Sequence, residues 1–419
     1  MNKNRAVNFS AGPSMMPYPV LLKARDEFLD YQDSGMSVIE LSHRSKLFGD
    51  VITGAEQKLR KLLNIPSEGY SVFFMHGGGT GGFAATYLNL MSSKVVRDKQ
   101  RKIHNQGKTL KCGYVVSGIW SKSAYEECVD LGGNAHVVVN CESTVELDNA
   151  SDAGVPQIKK GYFDLPPTEK WDLPPSDELA YIYYCDNETI GGFEMNVDSI
   201  TSAVDTNEVV LVCDVSSNIL TRKFDVSKFG IIYGGVQKNI GPSGATVVII
   251  RNDLLVRDSP ENQPAGSPTL PPPPGIPSVL SYYYFSSKGP MPHTPSTFSI
   301  YICNLVFDYI LENGGIDGME QLSEKKSSLI YDFVDSNPSI FFAPVCKRYR
   351  SRMNVVFNFK NQALDTLFVN EAKSYNIFEI NGHRSVGGIR VSVYNAVTVD
   401  DVLYFLEFAK KFIAKHCKN

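Results

Sequence analysis

Apolar and polar positions along the first two-thirds of the chain alternate between two periodicities. Residues 49–63 place apolar side chains at helical spacing, which predicts a helix. Residues 70–75 (YSVFFM) form a short apolar run, which predicts a buried strand. Six further strands are predicted at 113–116, 135–139, 179–184, 209–213, 231–233 and 246–250. Helical or turn segments separate most of them, and this alternation predicts an α/β fold with a mostly parallel, doubly wound sheet.

The last third has a different order of elements. Helices are predicted at 299–312 and 317–334, and strands at 354–359 and 389–393. Thr398 can cap a final helix, with Asp401 three positions on. In that helix, the apolar stripe expected to face the protein core consists of Val399, Val402, Leu403, Leu406, Ala409, Phe412 and Ile413. We therefore expect a smaller α+β domain of residues 1–17 and 299–419 beside a large domain of residues 18–298.

Two segments depart from both patterns. Residues 94–111 carry seven Lys or Arg against one acid. We expect a solvated loop there, because no aromatic residue is interleaved for stacking on bases. Residues 257–277 contain eight prolines, which favours a polyproline-II surface loop.

Composition and charge narrow the class of protein. The chain has 419 residues and a net charge of −4, so nothing in its charge points to nucleic acid or an anionic membrane as partner. None of its eight cysteines has C-x-x-C spacing, so no metal site is expected. There is no apolar N-terminal leader and no run long enough to span a membrane. We expect a cytoplasmic protein.

A glycine-rich cluster, residues 76–82 (HGGGTGG), follows a predicted strand and begins a helix. Free N–H groups and the helix dipole make such a turn a candidate anion site. Gly77, Gly79 and Gly82 also satisfy G-x-G-x-x-G, which would bind a dinucleotide if an acid ended a second strand about 20 residues on. Asp98 has that distance but lies in the basic segment. From this cluster alone a phosphate site, a dinucleotide site and a structural turn stay open.

A lysine between two glycine-rich turns carries the most specific chemical signal. Lys238 lies in residues 234–244 (GGVQKNIGPSG), past a predicted strand and 24 residues after Asp214, which ends another strand. Ligands bind at the carboxyl ends of strands in sheets of this kind. Pyridoxal phosphate requires a lysine amine for its Schiff base and a carboxylate for its pyridinium nitrogen. This pair therefore predicts a pyridoxal-phosphate site.

Eight ordered motifs extend over nearly the whole chain. They are NFSAGP (8–13), SVIELSHRSK (37–46), NETIGGFE (187–194), DVSSNILTRKFDVSKFG (214–230), GGVQKNIGPSGATVVI (234–249), HTPSTFSIY (293–301), RSRMNV (350–355) and GHRSVGGIRVSVYNA (382–396). In these motifs the chain resembles the phosphoserine aminotransferases. They are class V members of the aspartate-aminotransferase-like, fold-type I pyridoxal-phosphate enzymes.

The resemblance implies which residues contact the cofactor ring. Lys238 would form the Schiff base, with Gln237 beside it, and Asp214 would pair with the pyridinium nitrogen. Thr189 would lie near the phenolic oxygen, and Trp120 would stack on the ring.

The resemblance also implies how the cofactor phosphate is held. Gly79 and Thr80 would bind it from the same chain, and Thr294, preceded by His293, would reach it from a second copy. This implies a homodimer with shared active sites. Many relatives have arginine at position 80, where it helps to bind the substrate phosphate, and asparagine at position 293.

Both implied substrates carry two acidic groups, which arginine forks can bind. The resemblance makes Arg390 the anchor of the α-carboxylate. His43, Arg44, His383 and Arg384 would form a cup for the substrate phosphate or for the distal carboxylate of glutamate.

The reaction that this resemblance implies belongs to serine biosynthesis. The amino group of L-glutamate is transferred to 3-phosphohydroxypyruvate, giving O-phospho-L-serine and 2-oxoglutarate. One alternative is a related aminotransferase with another acidic substrate, which the change at Thr80 permits. From other classes, a nucleotide-dependent oxidoreductase would use residues 76–82 as a Rossmann turn, and an inactive family member would act as a scaffold.

Overall fold

The structure is a computed structural model that describes residues 5–100, 109–150, 156–255 and 275–417. Its helices are α1 (Tyr18–Asp26), α2 (Lys46–Leu63), α3 (Gly78–Gln100), α4 (Ile119–Asp130), α5 (Val197–Thr201), α6 (Tyr282–Lys288), α7 (Thr297–Glu312), α8 (Gly315–Asp335), α9 (Ala363–Ser374) and α10 (Val399–His416). Its first eight strands are β1 (Val7–Asn8), β2 (Tyr70–Met75), β3 (Lys111–Val116), β4 (Ala135–Asn140), β5 (Glu142–Ala150), β6 (Pro156–Tyr162), β7 (Leu179–Cys185) and β8 (Asn187–Glu188). The others are β9 (Phe193–Glu194), β10 (Leu211–Asp214), β11 (Ile231–Gly235), β12 (Thr246–Arg251), β13 (Phe341–Phe342), β14 (Asn354–Phe359), β15 (Ile377–Phe378) and β16 (Ile389–Ser392).

A seven-stranded sheet organises the first two-thirds of the chain. Its order is β2-β12-β11-β10-β7-β3-β4, and β12 alone runs antiparallel to its neighbours. Alternate strand residues point to opposite faces. Phe74 and Tyr184 therefore pack with α2 and α7, while Phe73 and Tyr183 pack with α3 and α4. The α/β, mostly parallel and doubly wound prediction is confirmed.

A three-stranded antiparallel sheet, β13-β14-β16, lies in the last third. Phe357 of this sheet packs with Ile330 of α8, Phe368 of α9 and Phe405 of α10. The N-terminal Phe9 joins the same core, and β1 pairs with β15. Helix α7 packs on α2 against the large sheet. The domain boundary between residues 298 and 299 stays a prediction.

Helix α10 begins as expected, and Val402, Leu406, Ala409 and Phe412 of the predicted stripe are buried. The Thr398 hydroxyl and the Asp401 carboxylate each accept from the other's backbone N–H, so the predicted cap is confirmed. Leu403, placed in the predicted stripe, is 48% exposed. Phe405 and Phe408 are buried instead, because the core-facing positions follow Val402 at i+3 and i+6.

The prediction of a solvated loop at 94–111 is wrong where the structure describes that segment. Helix α3 continues to Gln100, and Lys94 and Asp98 form a buried pair at 3.0 Å one helical turn apart. Pairing at i,i+4 lets a polar segment stay helical. Residues 101–108 lie outside the described residues, as does most of the proline-rich segment 257–277. In the described residues no helix is both long and apolar enough to cross a membrane.

Candidate active site

A cavity of about 390 Å³ opens where β2, β7, β10 and β11 end. This is the edge at which open α/β sheets bind ligands, and the volume is ordinary for a small-molecule site. Nine of the predicted site residues line it: Gly79, Thr80, Trp120, Thr189, Asp214, Gln237, Lys238, His383 and Arg390.

Lys238 projects a buried amine into this cavity. Its Nζ donates to Thr189 Oγ1 at 2.7 Å and lies 5.8 Å from the centre of the Trp120 ring. Burial lowers the pKa of Lys238, and the negative charge of Asp214 partly opposes that shift. The net lowering of the pKa enlarges the neutral fraction of this amine, which lies beside a flat aromatic ring.

The N-terminal segment supports Lys238 in a way that sequence reasoning missed. A Cβ at Gly12 would lie 3.0 Å from Lys238 Cγ, and Gly12 has a φ of +128°, so only glycine suits that position. The Ser14 hydroxyl donates to the Lys238 carbonyl, and the Ser14 N–H donates to the Gln237 carbonyl at 3.0 Å. The motif NFSAGP marked this segment, but nothing in the motif showed that it contacts a loop more than 220 residues away.

Asp214 presents a buried carboxylate to the same cavity. Its Oδ1 accepts from the N–H and hydroxyl of Ser216 at 2.8 and 2.6 Å, and its Oδ2 accepts from the Tyr183 hydroxyl at 3.3 Å. Burial raises the pKa of Asp214, while the hydrogen bonds from Ser216 oppose that shift. No described basic side chain lies within ion-pair distance of this carboxylate. A ligand with a protonated ring nitrogen would supply the missing positive partner.

The glycine cluster forms the turn into α3. Gly77 and Gly78 have φ values of +107° and +61°, and a Cβ at Gly82 would lie 2.2 Å from the Tyr233 ring. The first-turn N–H groups of α3 lie beside the cavity and suit a phosphate. The dinucleotide interpretation fails, because Asp98 lies inside α3, paired with Lys94, and does not end a strand.

A second cation that lines the cavity, Arg390, comes from the smaller sheet. Arg390 is on β16, opposite Val356 of β14, and its buried Nε has no hydrogen-bond partner. Burial lowers the pKa of Arg390. His383 also lines the cavity, and burial and the charges of Arg390 and Arg384 lower its pKa. An anionic group would match the unpaired guanidinium.

Five predicted site residues do not line the cavity of this single chain. Arg384 and Arg44 are exposed, and His43 lies beside Arg44 in the turn before α2. The ring of His293 stacks on that of His76 at 5.3 Å, and the Thr294 carbonyl lies 3.1 Å from His76 Nε2.

The groups of this cavity are complementary to pyridoxal phosphate. The buried amine of Lys238 can bind an aldehyde, and the unpaired carboxylate of Asp214 can accept a pyridinium N–H. The N–H groups at the start of α3 can hold a phosphate. The exposed face of Trp120 offers a surface for a planar ring.

Comparison with known proteins agrees with this chemistry. The family model for class-V aminotransferases matches residues 6–106 and 144–405. The chain is 39% identical to the phosphoserine aminotransferase of Acinetobacter baumannii over 412 residues, 98% of this chain and 99% of the relative. The structure of phosphoserine aminotransferase from Bacillus circulans subsp. alkalophilus aligns with a TM-score of 0.78 and 34% identity, covering 97% of this chain and 99% of that one. The PLP-bound phosphoserine aminotransferase of Trichomonas vaginalis aligns with a TM-score of 0.77 and 33% identity, covering 97% and 100%.

These matches extend over nearly the full length of the chain and include the segments that carry Lys238, Asp214 and Arg390. A nucleotide-dependent oxidoreductase is therefore excluded. The chain belongs to the class-V aminotransferase family, and its relatives from Acinetobacter baumannii, Bacillus circulans and Trichomonas vaginalis are phosphoserine aminotransferases.

Proposed function

We propose that this chain transfers the amino group of L-glutamate to 3-phosphohydroxypyruvate, giving O-phospho-L-serine and 2-oxoglutarate. The observation that carries the proposal is one cavity in which the buried amine of Lys238 lies beside the buried, unpaired carboxylate of Asp214. An inactive scaffold would have no need of a lysine amine and a carboxylate enclosed in one cavity, because burying such groups costs stability unless a ligand matches them.

Lys238 is assigned two tasks, to anchor the cofactor and to move a proton. Bound pyridoxal phosphate supplies an electron sink for the charge left when the substrate loses its Cα proton. Once the substrate amine has displaced it from the cofactor, the Nζ of Lys238 would take up that Cα proton and donate it to the cofactor carbon that carried the aldehyde. Its lowered pKa favours this role, because a larger fraction of the amine is neutral and able to accept a proton.

The remaining cofactor residues hold the ring in place. All three residues line the cavity: Asp214 would pair with the protonated ring nitrogen, Thr189 would lie near the phenolic oxygen, and Trp120 would cover one face of the ring. Gln237, which precedes Lys238 in the chain, also lines the cavity.

Arg390 is assigned to the substrate α-carboxylate. It is largely buried and its Nε has no hydrogen-bond partner among the described residues, so a substrate carboxylate would supply the missing acceptor. His383 lines the same end of the cavity. Arg384, on the same exposed loop, would turn toward the second acidic group of the substrate.

A homodimer would complete the site. Five exposed apolar side chains form what we name the N-terminal apolar surface: Leu21, Phe28, Leu29, Met36 and Ile39. Phe28 contacts Phe298 at 6.2 Å, which joins this surface to the segment that carries His293 and Thr294. Docking a second copy there would bring His293, Thr294, His43 and Arg44 toward the partner's cavity.

The proposed location of the reaction is the cytoplasm, whose reducing conditions suit eight free cysteines.

The test of the proposed function compares half-reactions of the holoenzyme. We expect phosphoserine and glutamate to bleach the cofactor's visible absorbance band, with alanine and aspartate at least tenfold less effective. Equal bleaching by aspartate and phosphoserine would favour an aminotransferase for a different acidic substrate. No bleaching by any of the four amino acids would contradict transamination.

Thr80 tests how the chain recognises the substrate phosphate. It is exposed at the start of α3 and lines the cavity, where the resemblance leads one to expect arginine. We expect Thr80→Arg to lower the KM for 3-phosphohydroxypyruvate by about two- to fivefold, the gain typical of one exposed ion pair. The KM for glutamate is the internal control. An unchanged KM for the phosphorylated substrate would show that position 80 plays no part in phosphate binding.

A further inference from the structure

A buried carboxylate holds the first turn of the helix that carries Trp120. Glu188 has no exposed surface. Its Oε2 accepts from the Trp120 N–H at 3.0 Å, and its Oε1 accepts from the Ser121 N–H at 2.8 Å and from the Ser121 hydroxyl at 2.6 Å. Helix N-termini leave such N–H groups free, and a side chain at the residue before the helix normally accepts them. That residue is Gly118, which has no side chain, so Glu188 takes its place from 70 residues further along the chain.

The space for this carboxylate exists because position 118 is glycine. A Cβ at Gly118 would lie 2.3 Å from Glu188 Cδ, well inside contact distance. The φ of Gly118 is 178°, an extended value that any residue adopts. Glycine is therefore required for space and not for backbone conformation, so the two residues form a matched pair.

Glu188 also connects two parts of the candidate active site. The next residue, Thr189, accepts the hydrogen bond from Lys238 Nζ, and Trp120 follows Gly118 by two positions. Among the described residues no basic side chain pairs with Glu188. Burial raises the pKa of Glu188, and the hydrogen bonds from Ser121 and Trp120 oppose the shift. Those bonds and the positive end of the helix dipole stabilise the carboxylate.

We propose that Glu188 is a positioning residue whose carboxylate fixes the first turn of α4 and so holds the Trp120 indole over the cofactor ring. The inference rests on the proposed function, in which Trp120 covers that ring. It assigns Glu188 no contact with substrate or cofactor. Glu188 ends β8 and Thr189 follows it, so one short segment contacts both the first turn of α4 and the Lys238 amine.

The experiment measures binding of pyridoxal phosphate to cofactor-free protein through quenching of Trp120 fluorescence. A Trp171→Phe background leaves Trp120 as the single tryptophan, because the sequence has two. We expect Glu188→Ala to raise the Kd about tenfold and to reduce the quenching at saturation, through loss of the helix cap and of part of the stacking. Glu188→Gln keeps an acceptor for Ser121 but places an amide donor against the Trp120 N–H, so its effect should be intermediate.

A double variant separates positioning from charge. In Gly118→Ser combined with Glu188→Ala, the introduced hydroxyl can cap α4 in the space that the glutamate side chain vacated. We expect it to recover most of the quenching and affinity without any carboxylate. Gly118→Ser alone should behave like Glu188→Ala, because the two side chains collide.

Three results would overturn the proposal. Wild-type quenching and Kd in both Glu188→Ala and Glu188→Gln would show that the carboxylate does not hold Trp120. A double variant as weak as Glu188→Ala would show that Glu188 acts through its charge. If pyridoxal phosphate binds the background protein without quenching Trp120, the stacking role in the proposed function fails first. Should Glu188→Ala not fold, Glu188→Gln and the double variant still decide the question.

Discussion

Arg390 shows how a single residue commits the site to anionic substrates. Its guanidinium is largely buried, and its Nε has no hydrogen-bond partner in the described residues. A buried donor without a partner is costly, so the site is more stable when an acidic group occupies it.

Arg390→Leu should therefore separate substrate binding from cofactor binding. We expect the KM for glutamate to rise roughly 10- to 100-fold, the loss of one or two charge-assisted hydrogen bonds, with unchanged cofactor absorbance. Arg348→Leu is the matched control, because Arg348 is an exposed arginine that pairs with Asp164 and does not line the cavity. Steady-state kinetics check both variants. A glutamate KM unchanged by Arg390→Leu would remove Arg390 from the substrate site.

Among single residues, the sequence predicts the position of those whose place follows from the strand that precedes them. Lys238 and Asp214 follow strand ends, so their meeting in one cavity follows from the strand pattern. Gly118 and Glu188 could not be paired in the same way. Their contact depends on how α4 and β8 approach each other, and the motif NETIGGFE that contains Glu188 does not show which helix the glutamate meets.

Two elements of different sheets are joined beside the cavity by buried amides. Asn187 of β8 donates to Asn354 Oδ1 of β14 at 2.8 Å. Asn354 Nδ2 donates to the Ser392 and Tyr394 hydroxyls at 3.0 and 3.1 Å, and the Tyr394 hydroxyl donates to the Ala11 carbonyl at 2.9 Å. This network links the Lys238 side of the cavity with the strand that carries Arg390.

Asn354→Leu should weaken both stability and substrate binding. We expect the free energy of unfolding to fall by about 1–3 kcal/mol, because buried partners lose their hydrogen bonds, and the KM for glutamate to rise. Asn89→Leu is the control: Asn89 is a buried amide in α3 that bonds Ala85 and Leu280, away from this network. It should lose similar stability with the glutamate KM unchanged. Urea denaturation measures the stability of both variants, and steady-state kinetics measures their KM for glutamate. An equal rise of that KM in both variants would refute a specific link between the Asn354 network and Arg390.

Element positions were predicted well where periodicity is strong. Strand β2 has the bounds predicted for it, and α2 begins three residues earlier than predicted. The end of α3 was missed, because its last turns are stabilised by the Lys94–Asp98 pair and not by an apolar stripe. The β5–β6 hairpin was also missed, since its strands contain few consecutive apolar residues.

At the scale of the whole molecule, the N-terminal apolar surface is the proposed docking site for a second copy of the chain. Leu29 is 80% exposed, which is unusual for leucine, and residues 21–39 carry four other exposed apolar side chains. The strand pattern could not predict this surface, because its residues come from a helix and a connecting segment without a regular period.

Leu29→Asp combined with Ile39→Asp should shift the protein from dimer to monomer in sedimentation velocity at micromolar concentration. The Kd for pyridoxal phosphate should rise in parallel, because the proposed contacts from Thr294 of the second copy are lost. Leu403→Asp, on an exposed position of α10, should leave the assembly unchanged. A double variant that remains fully dimeric would place the interface elsewhere.

The order and directions of the strands in the large sheet could not be predicted from the sequence either. Alternating helices and strands predicted a mostly parallel sheet, but β12 runs antiparallel between β11 and β2. A short connection of Val236–Ala245 separates β11 from β12, and this loop carries Lys238. An antiparallel return there places the lysine at the strand ends, beside Asp214.

The most direct test of the account is to locate the covalent bond between protein and cofactor. Holoenzyme is reduced with borohydride, digested, and analysed by peptide mass spectrometry. We predict that the reduced pyridoxyl-phosphate adduct lies on Lys238, and that Lys238→Ala carries no adduct and has no activity. An adduct on another lysine, or one retained in Lys238→Ala, would contradict the account.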